Sequence, residues 1–221
     1  MEARIAKSPA LLSLEDRANS FTHAIGSGMC IAGLAVLVVL SSLTGDPWKI
    51  VSFSVFGATL VLLYTASSIY HAVHRPALRR ALRILDHVSI NLLIAGTYTP
   101  FMLVNLRGPL GWWMFGIIWT LAVIGVVHDL FFTGRFKLLS TLLYLGMGWI
   151  VVLIMRPLAQ CLPTSGLALL IAGGLSYSLG AIFYLCDKKM PFGHAVWHLF
   201  VLGGSICHFL SIVLGVLPFR S

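Results

Sequence analysis

Seven long apolar stretches leave this sequence few ways to fold. They run roughly over 21–43, 49–74, 84–105, 109–131, 137–157, 164–186 and 192–217. Each approaches the ~20 apolar residues that a helix needs to cross a bilayer. Inside lipid every backbone polar group must be satisfied within the chain, so helices of this length form a polytopic bundle. The expected fold class is therefore all-α: residues 1–20 are an N-terminal segment, and 21–217 a domain of seven transmembrane helices. The breaks are short and rich in Gly and Pro, as in Gly45-Asp46-Pro47 and Gly108-Pro109, and leave no room for a soluble domain. Within the first segment, 12–19 could form a short helix on the membrane surface. The polar first 20 residues lack the apolar core of a cleavable signal.

Composition agrees. Hydrophobic residues make up 58% of the chain and charged residues 10%, against about 25% charged in soluble domains. The formal net charge of +8 is therefore not a sign of nucleic-acid binding; in such a chain Lys and Arg report orientation. Eleven of the fifteen fall on the side of the N-terminus (Arg4, Lys7, Arg17, Arg75, Arg79, Arg80, Arg83, Arg135, Lys137, Lys188, Lys189) and four on the other (Lys49, Arg107, Arg156, Arg220). The positive-inside rule then predicts a cytoplasmic N-terminus and a C-terminus outside, in the plasma membrane.

That topology gathers the ionisable residues. His194 and His198 lie one turn apart on one face of the last helix, a spacing suited to gripping one metal ion. His71 closes the second helix, Asp86 opens the third and His23 opens the first, all at the same depth and side. Three neutral imidazoles with one open position form a common catalytic zinc arrangement. His71, His194 and His198 would be the ligands, and Asp86 would accept a hydrogen bond from a water at the metal. Ser67, four residues before His71, shares its helix face and could bond that water or a substrate carbonyl. His208 lies ten residues past His198, ~15 Å deeper by helix rise, and either lines a pocket below the metal or is a satisfied core histidine. His74, His87 and His128 are read as ordinary interfacial histidines.

Ser67-x3-His71, Asp86 and His194-x3-His198, together with Glu15-x3-Asn19-x3-His23, resemble the motifs of the progestin and adipoQ receptor family. The small size and short loops are similar to its bacterial branch, the haemolysin III-like membrane proteins, and to the branch members tied to membrane homeostasis. The resemblance implies seven helices with a cytoplasmic N-terminus. It also implies Zn2+ held by His71, His194 and His198, with a water held by Asp86, and Glu15, Asn19 and His23 as supporting residues. It further implies partners among membrane lipids or fatty-acid derivatives, with ceramidase-like hydrolysis of a lipid amide or ester as one activity. Two other functions stand beside that one: a non-enzymatic membrane sensor or regulator in which the metal ties the second helix to the seventh, with His23 as a fourth ligand, and a pore or transporter.

Overall fold

The computed structural model describes residues 8–217; Arg4, Lys7 and Arg220 of the charge tally lie outside them. Among the described residues there is no strand, and seven helices are long and apolar enough to cross a membrane. They are α1 (Pro9–Thr44), α2 (Pro47–Ala72), α3 (Pro76–Asn105), α4 (Pro109–Phe132), α5 (Lys137–Cys161), α6 (Thr164–Cys186) and α7 (Gly193–Gly215). The first four each begin with a proline, whose missing N–H costs nothing in the first turn. Ser8 accepts from the Leu11 N–H and Asp46 from the Trp48 N–H, capping the first two helices.

The stretch 12–19 is not a separate surface helix. α1 runs unbroken for 36 residues, or about 54 Å, well beyond the ~30 Å of a bilayer's hydrocarbon. The Ser8–Pro9 cap starts the helix before its apolar part begins. Glu15, Asn19, His23, Gly26 and Cys30 then form one buried stripe at spacings of three and four. Phe21, Ile25, Met29 and Val36 face outward, exposed as bilayer-facing side chains are.

Helices adjacent in sequence pack against each other, and α1 also packs on α7, so that α1, α2 and α7 form one side of the bundle. Close approach of α1 and α2 depends on Gly26: a Cβ there would stand 2.4 Å from Cδ1 of Tyr64. α3 is the most enclosed helix. After Pro100 its ladder loosens into a π turn, Phe101–Asn105. α5 tightens into a 3-10 turn at Ile150–Ile154. There the Tyr98 hydroxyl donates to the carbonyls of Met147 and Gly148 and accepts from the Val151 N–H, satisfying backbone groups freed by the break.

One buried acid stands out. The Asp129 side chain on α4 accepts from Asn91 Nδ2 on α3 at 2.8 Å and from the Tyr144 hydroxyl on α5 at 2.7 Å, and lies 3.2 Å from His128 Nδ1. A lone carboxylate inside a bundle is costly; these contacts offset that cost and fasten three helices together.

Candidate metal centre

The beginnings of α1, α3, α5 and α7 and the ends of α2, α4 and α6 share one end of the bundle. There His71 of α2 meets His194 and His198 of α7. Their ring centroids lie 5.1 and 5.2 Å from that of His71 and 4.7 Å from each other. One nitrogen of each ring lies within 4.8 Å of one from both others, so the three could hold one metal ion.

Each ring is held through its Nδ1. His71 Nδ1–H donates to Asp16 Oδ1 at 3.1 Å, and Arg79 Nη2 donates to both oxygens of that carboxylate at 3.0 and 2.9 Å. His194 Nδ1–H donates to Asp187 Oδ2 at 3.3 Å, while Asp187 Oδ1 lies 2.8 Å from Lys137 Nζ. His198 Nδ1–H donates to the Asn19 carbonyl at 3.3 Å, beside the Thr22 hydroxyl. With Nδ1 occupied, Nε2 is the nitrogen left to each ring, and a hydrogen bond on the far nitrogen is how metal-binding imidazoles are usually oriented. Nε2 of His71 is buried and without a hydrogen-bond partner, an orphaned acceptor that a cation would satisfy. The donor set thus fits a metal that takes nitrogen ligands. Burial alone would raise the pKa of Asp187, but hydrogen bonds from His194 and Lys137 and the Lys137 charge hold its carboxyl down at about 2.

α1 braces the centre, and its motif residues explain themselves there. Glu15 Oε1 accepts from the Phe192 N–H at 2.8 Å, fixing the residue that caps α7, with φ 55°, just before His194. Asn19 supplies the carbonyl under His198. The His23 ring stacks on that of His198, with centroids 3.6 Å apart and planes at 17°, and neither His23 nitrogen has a partner.

Two spaces meet at the histidines. A polar vestibule is lined by Asp16, Arg79, Arg83, Asp86, Lys137 and His194. A mostly apolar cavity of about 160 Å³ leads inward past Leu63, Ile94, Phe101, Leu158 and Val201. That is roughly ten times the 10–15 Å³ a single water needs. Asp86 lines both spaces, and Ser67, with its buried hydroxyl unpartnered, lines the cavity.

All the residues singled out from the sequence except His208 therefore gather at this end: His71, His194, His198, Asp86, Ser67, His23, Asn19 and Glu15. His208 lines the same cavity at depth. His87 also lines it, with Nδ1–H donating to the Arg83 carbonyl at 2.9 Å. His74 is exposed and His128 stands by Asp129. Sequence reasoning missed Asp16 and Asp187, which hold two of the rings from behind, Lys137, which holds Asp187, and the buried Asp129.

A seven-helix membrane protein with a three-histidine cluster at one end, His71 and His198 buried and His194 half-buried, is the class that fold and site define. The family model for haemolysin-III-related proteins matches residues 13–209, and the chain belongs to that family. It is 48% identical over 207 residues to Hemolysin-3 of Bacillus cereus, covering 94% of each chain. It is 45% identical over 199 residues to the Hemolysin-3 homolog of Bacillus subtilis (strain 168), covering 90% of this chain and 93% of the other. The human monocyte to macrophage differentiation factor is 32% identical over 203 residues, covering 90% of this chain and 83% of its own. No solved structure matches. The resemblance to the progestin and adipoQ receptor family and its bacterial branch is thereby borne out, and the chain is a multi-pass bacterial membrane protein.

Proposed function

We propose that this protein is a zinc-dependent hydrolase of a lipid amide or ester and serves membrane lipid and fatty-acid homeostasis. One observation carries the reading: three imidazoles, each braced at Nδ1, stand where a polar vestibule meets an apolar cavity. Such a junction suits a substrate with an apolar chain and a polar reacting group. The excess of Lys and Arg at this end supports placing it at the cytoplasmic surface.

His71, His194 and His198 would hold the zinc. When bound, zinc would polarise the acyl carbonyl and bring the pKa of water near neutrality. The chain's own residues do the rest. The cavity takes the acyl chain and so aligns the carbonyl below the histidines. Asp86, between the two spaces, takes a proton from water on its carboxylate as that oxygen bonds to the acyl carbon. As the C–N or C–O bond breaks, Asp86 returns the proton to the departing amine or alcohol, and the acyl chain leaves as a carboxylic acid. The Ser67 hydroxyl donates a hydrogen bond toward the carbonyl oxygen.

The test is release of fatty acid from lipid amides and esters by the purified protein, wild type beside Asp86→Asn. Turnover by wild type, lost in a variant that keeps its metal, supports the reading. Equal turnover in both would sink it.

A second reading makes the metal a tie between α2 and α7 in a regulator without catalysis. It is favoured by His23, whose unpartnered nitrogens against His198 offer a fourth ligand; structural zinc sites are usually closed by four protein ligands. Metal affinity that falls in His23→Ala, with no lipid turnover by wild type, would favour it. The Bacillus relatives' names speak of haemolysis. An apolar interior lined by Leu63, Ile94 and Phe101 suits an acyl chain better than an ion path.

A further inference from the structure

Among the polar residues that line the apolar cavity below the histidines, His208 has a role that the proposed chemistry does not assign. His208 lies on α7, ten residues beyond His198, ~15 Å further along the helix. It is 9% exposed and its ring lines the cavity. Its Nε2 stands 3.2 Å from the Leu170 carbonyl on α6, so Nε2–H donates there and Nδ1 carries the lone pair. Nδ1 is buried and has no partner.

The polar groups around it do not supply one. The Tyr64 hydroxyl donates to Ser205 Oγ at 2.9 Å, and the Tyr177 hydroxyl lies 2.8 Å from the same oxygen. Those three satisfy each other. The ring is also held in place: a Cβ on Gly173 would stand 2.4 Å from its Cδ2 and 2.5 Å from its Nε2. α6 thus carries no side chain where the imidazole must sit. A buried acceptor without a donor costs free energy that a ligand can recover.

We propose that His208 is a second polar subsite of this cavity, and that the lipid it takes carries a hydroxyl on its chain about twelve bonds from the group at the three histidines. This rests on the reading that the cavity takes a lipid chain. The distance follows from extension: a fully extended chain gains ~1.2 Å per single bond, and the two sites are ~15 Å apart. The hydroxyl follows from the tautomer. Nδ1 accepts, so it selects a donor; a ketone, which only accepts, gains nothing there.

Three probes separate these cases: octadecanoate, 12-hydroxyoctadecanoate and 12-oxooctadecanoate, each bound to the full-length, zinc-loaded protein in detergent. The hydroxy acid should bind roughly three- to tenfold more tightly than either other acid, the range of one net hydrogen bond. His208→Leu should remove that preference and still bind octadecanoate. Equal affinities in wild type, or a preference kept by His208→Leu, would overturn the subsite. If the Leu variant does not fold, a series of hydroxyl positions on wild type decides. Preference confined near carbon 12 supports the subsite, and equal preference for 2-hydroxyoctadecanoate removes it. Octadecanoate binding without discrimination would remove the subsite alone. Failure of all three acids to bind would remove the lipid reading with it.

Discussion

Asp16 Oδ1 lies 3.1 Å from Nδ1 of His71, joining the first helix to the second directly behind the candidate metal centre. The contact sets which nitrogen of His71 faces the other two histidines. Arg79 holds the same carboxylate from α3, so three helices meet in one chain of charge-assisted hydrogen bonds.

Replacing Asp16 with Ala should therefore weaken metal binding without removing a ligand. Loss of a partner behind a metal-binding histidine typically costs about 10- to 100-fold in affinity. Competition with a chelator of known affinity measures this. Asp16→Ala should remain folded, since Arg79 reaches solvent, with 28% of its side chain exposed.

Asp129 should matter for stability and not for metal. In Asp129→Ala, Asn91 and Tyr144 each lose a partner inside the bundle, at about 1–3 kcal/mol for each buried group left unsatisfied. Thermal unfolding in detergent should shift clearly downward while metal content stays at the wild-type value. A variant that melts as wild type would mean the network does not fasten α3, α4 and α5.

Metal removal should loosen the bundle on one side. An ion held by His71 and by His194 and His198 links α2 to α7, and a ligand that binds only the folded state stabilises it by about 2.7 kcal/mol at a hundredfold excess over its dissociation constant. Zinc should raise the melting temperature of chelator-stripped wild type and leave that of His194→Ala unmoved.

Much of this architecture could be read from the residue order. Runs of apolar residues separated by short breaks containing Gly or Pro marked the seven helices, and the Lys and Arg bias put His71 and the His194/His198 pair at one end. The spacing of four marked His194 and His198 as neighbours on a helix face, which depends only on helix geometry. Other parts were hidden for physical reasons. α1 extends twelve residues before its apolar run because its polar side chains, Glu15 and Asn19, are buried against other helices, and hydropathy cannot distinguish a polar residue in protein from one in water. Adjacent Glu15 and Asp16 point about 100° apart on the helix, so one reaches the start of α7 and the other α2; only the first fits the stripe with Asn19 and His23. Asp129, near the end of an apolar helix, looks like any interfacial acid until Asn91 and Tyr144 arrive from other helices.

The central claim is that His71, His194 and His198 bind one metal ion. Elemental analysis of the detergent-purified protein, wild type beside His71→Ala and His194→Ala, tests it most directly. About one zinc per wild-type chain, lost in both variants while they stay folded, is the expected result. A well-folded wild type that holds no metal even after zinc is supplied would contradict it.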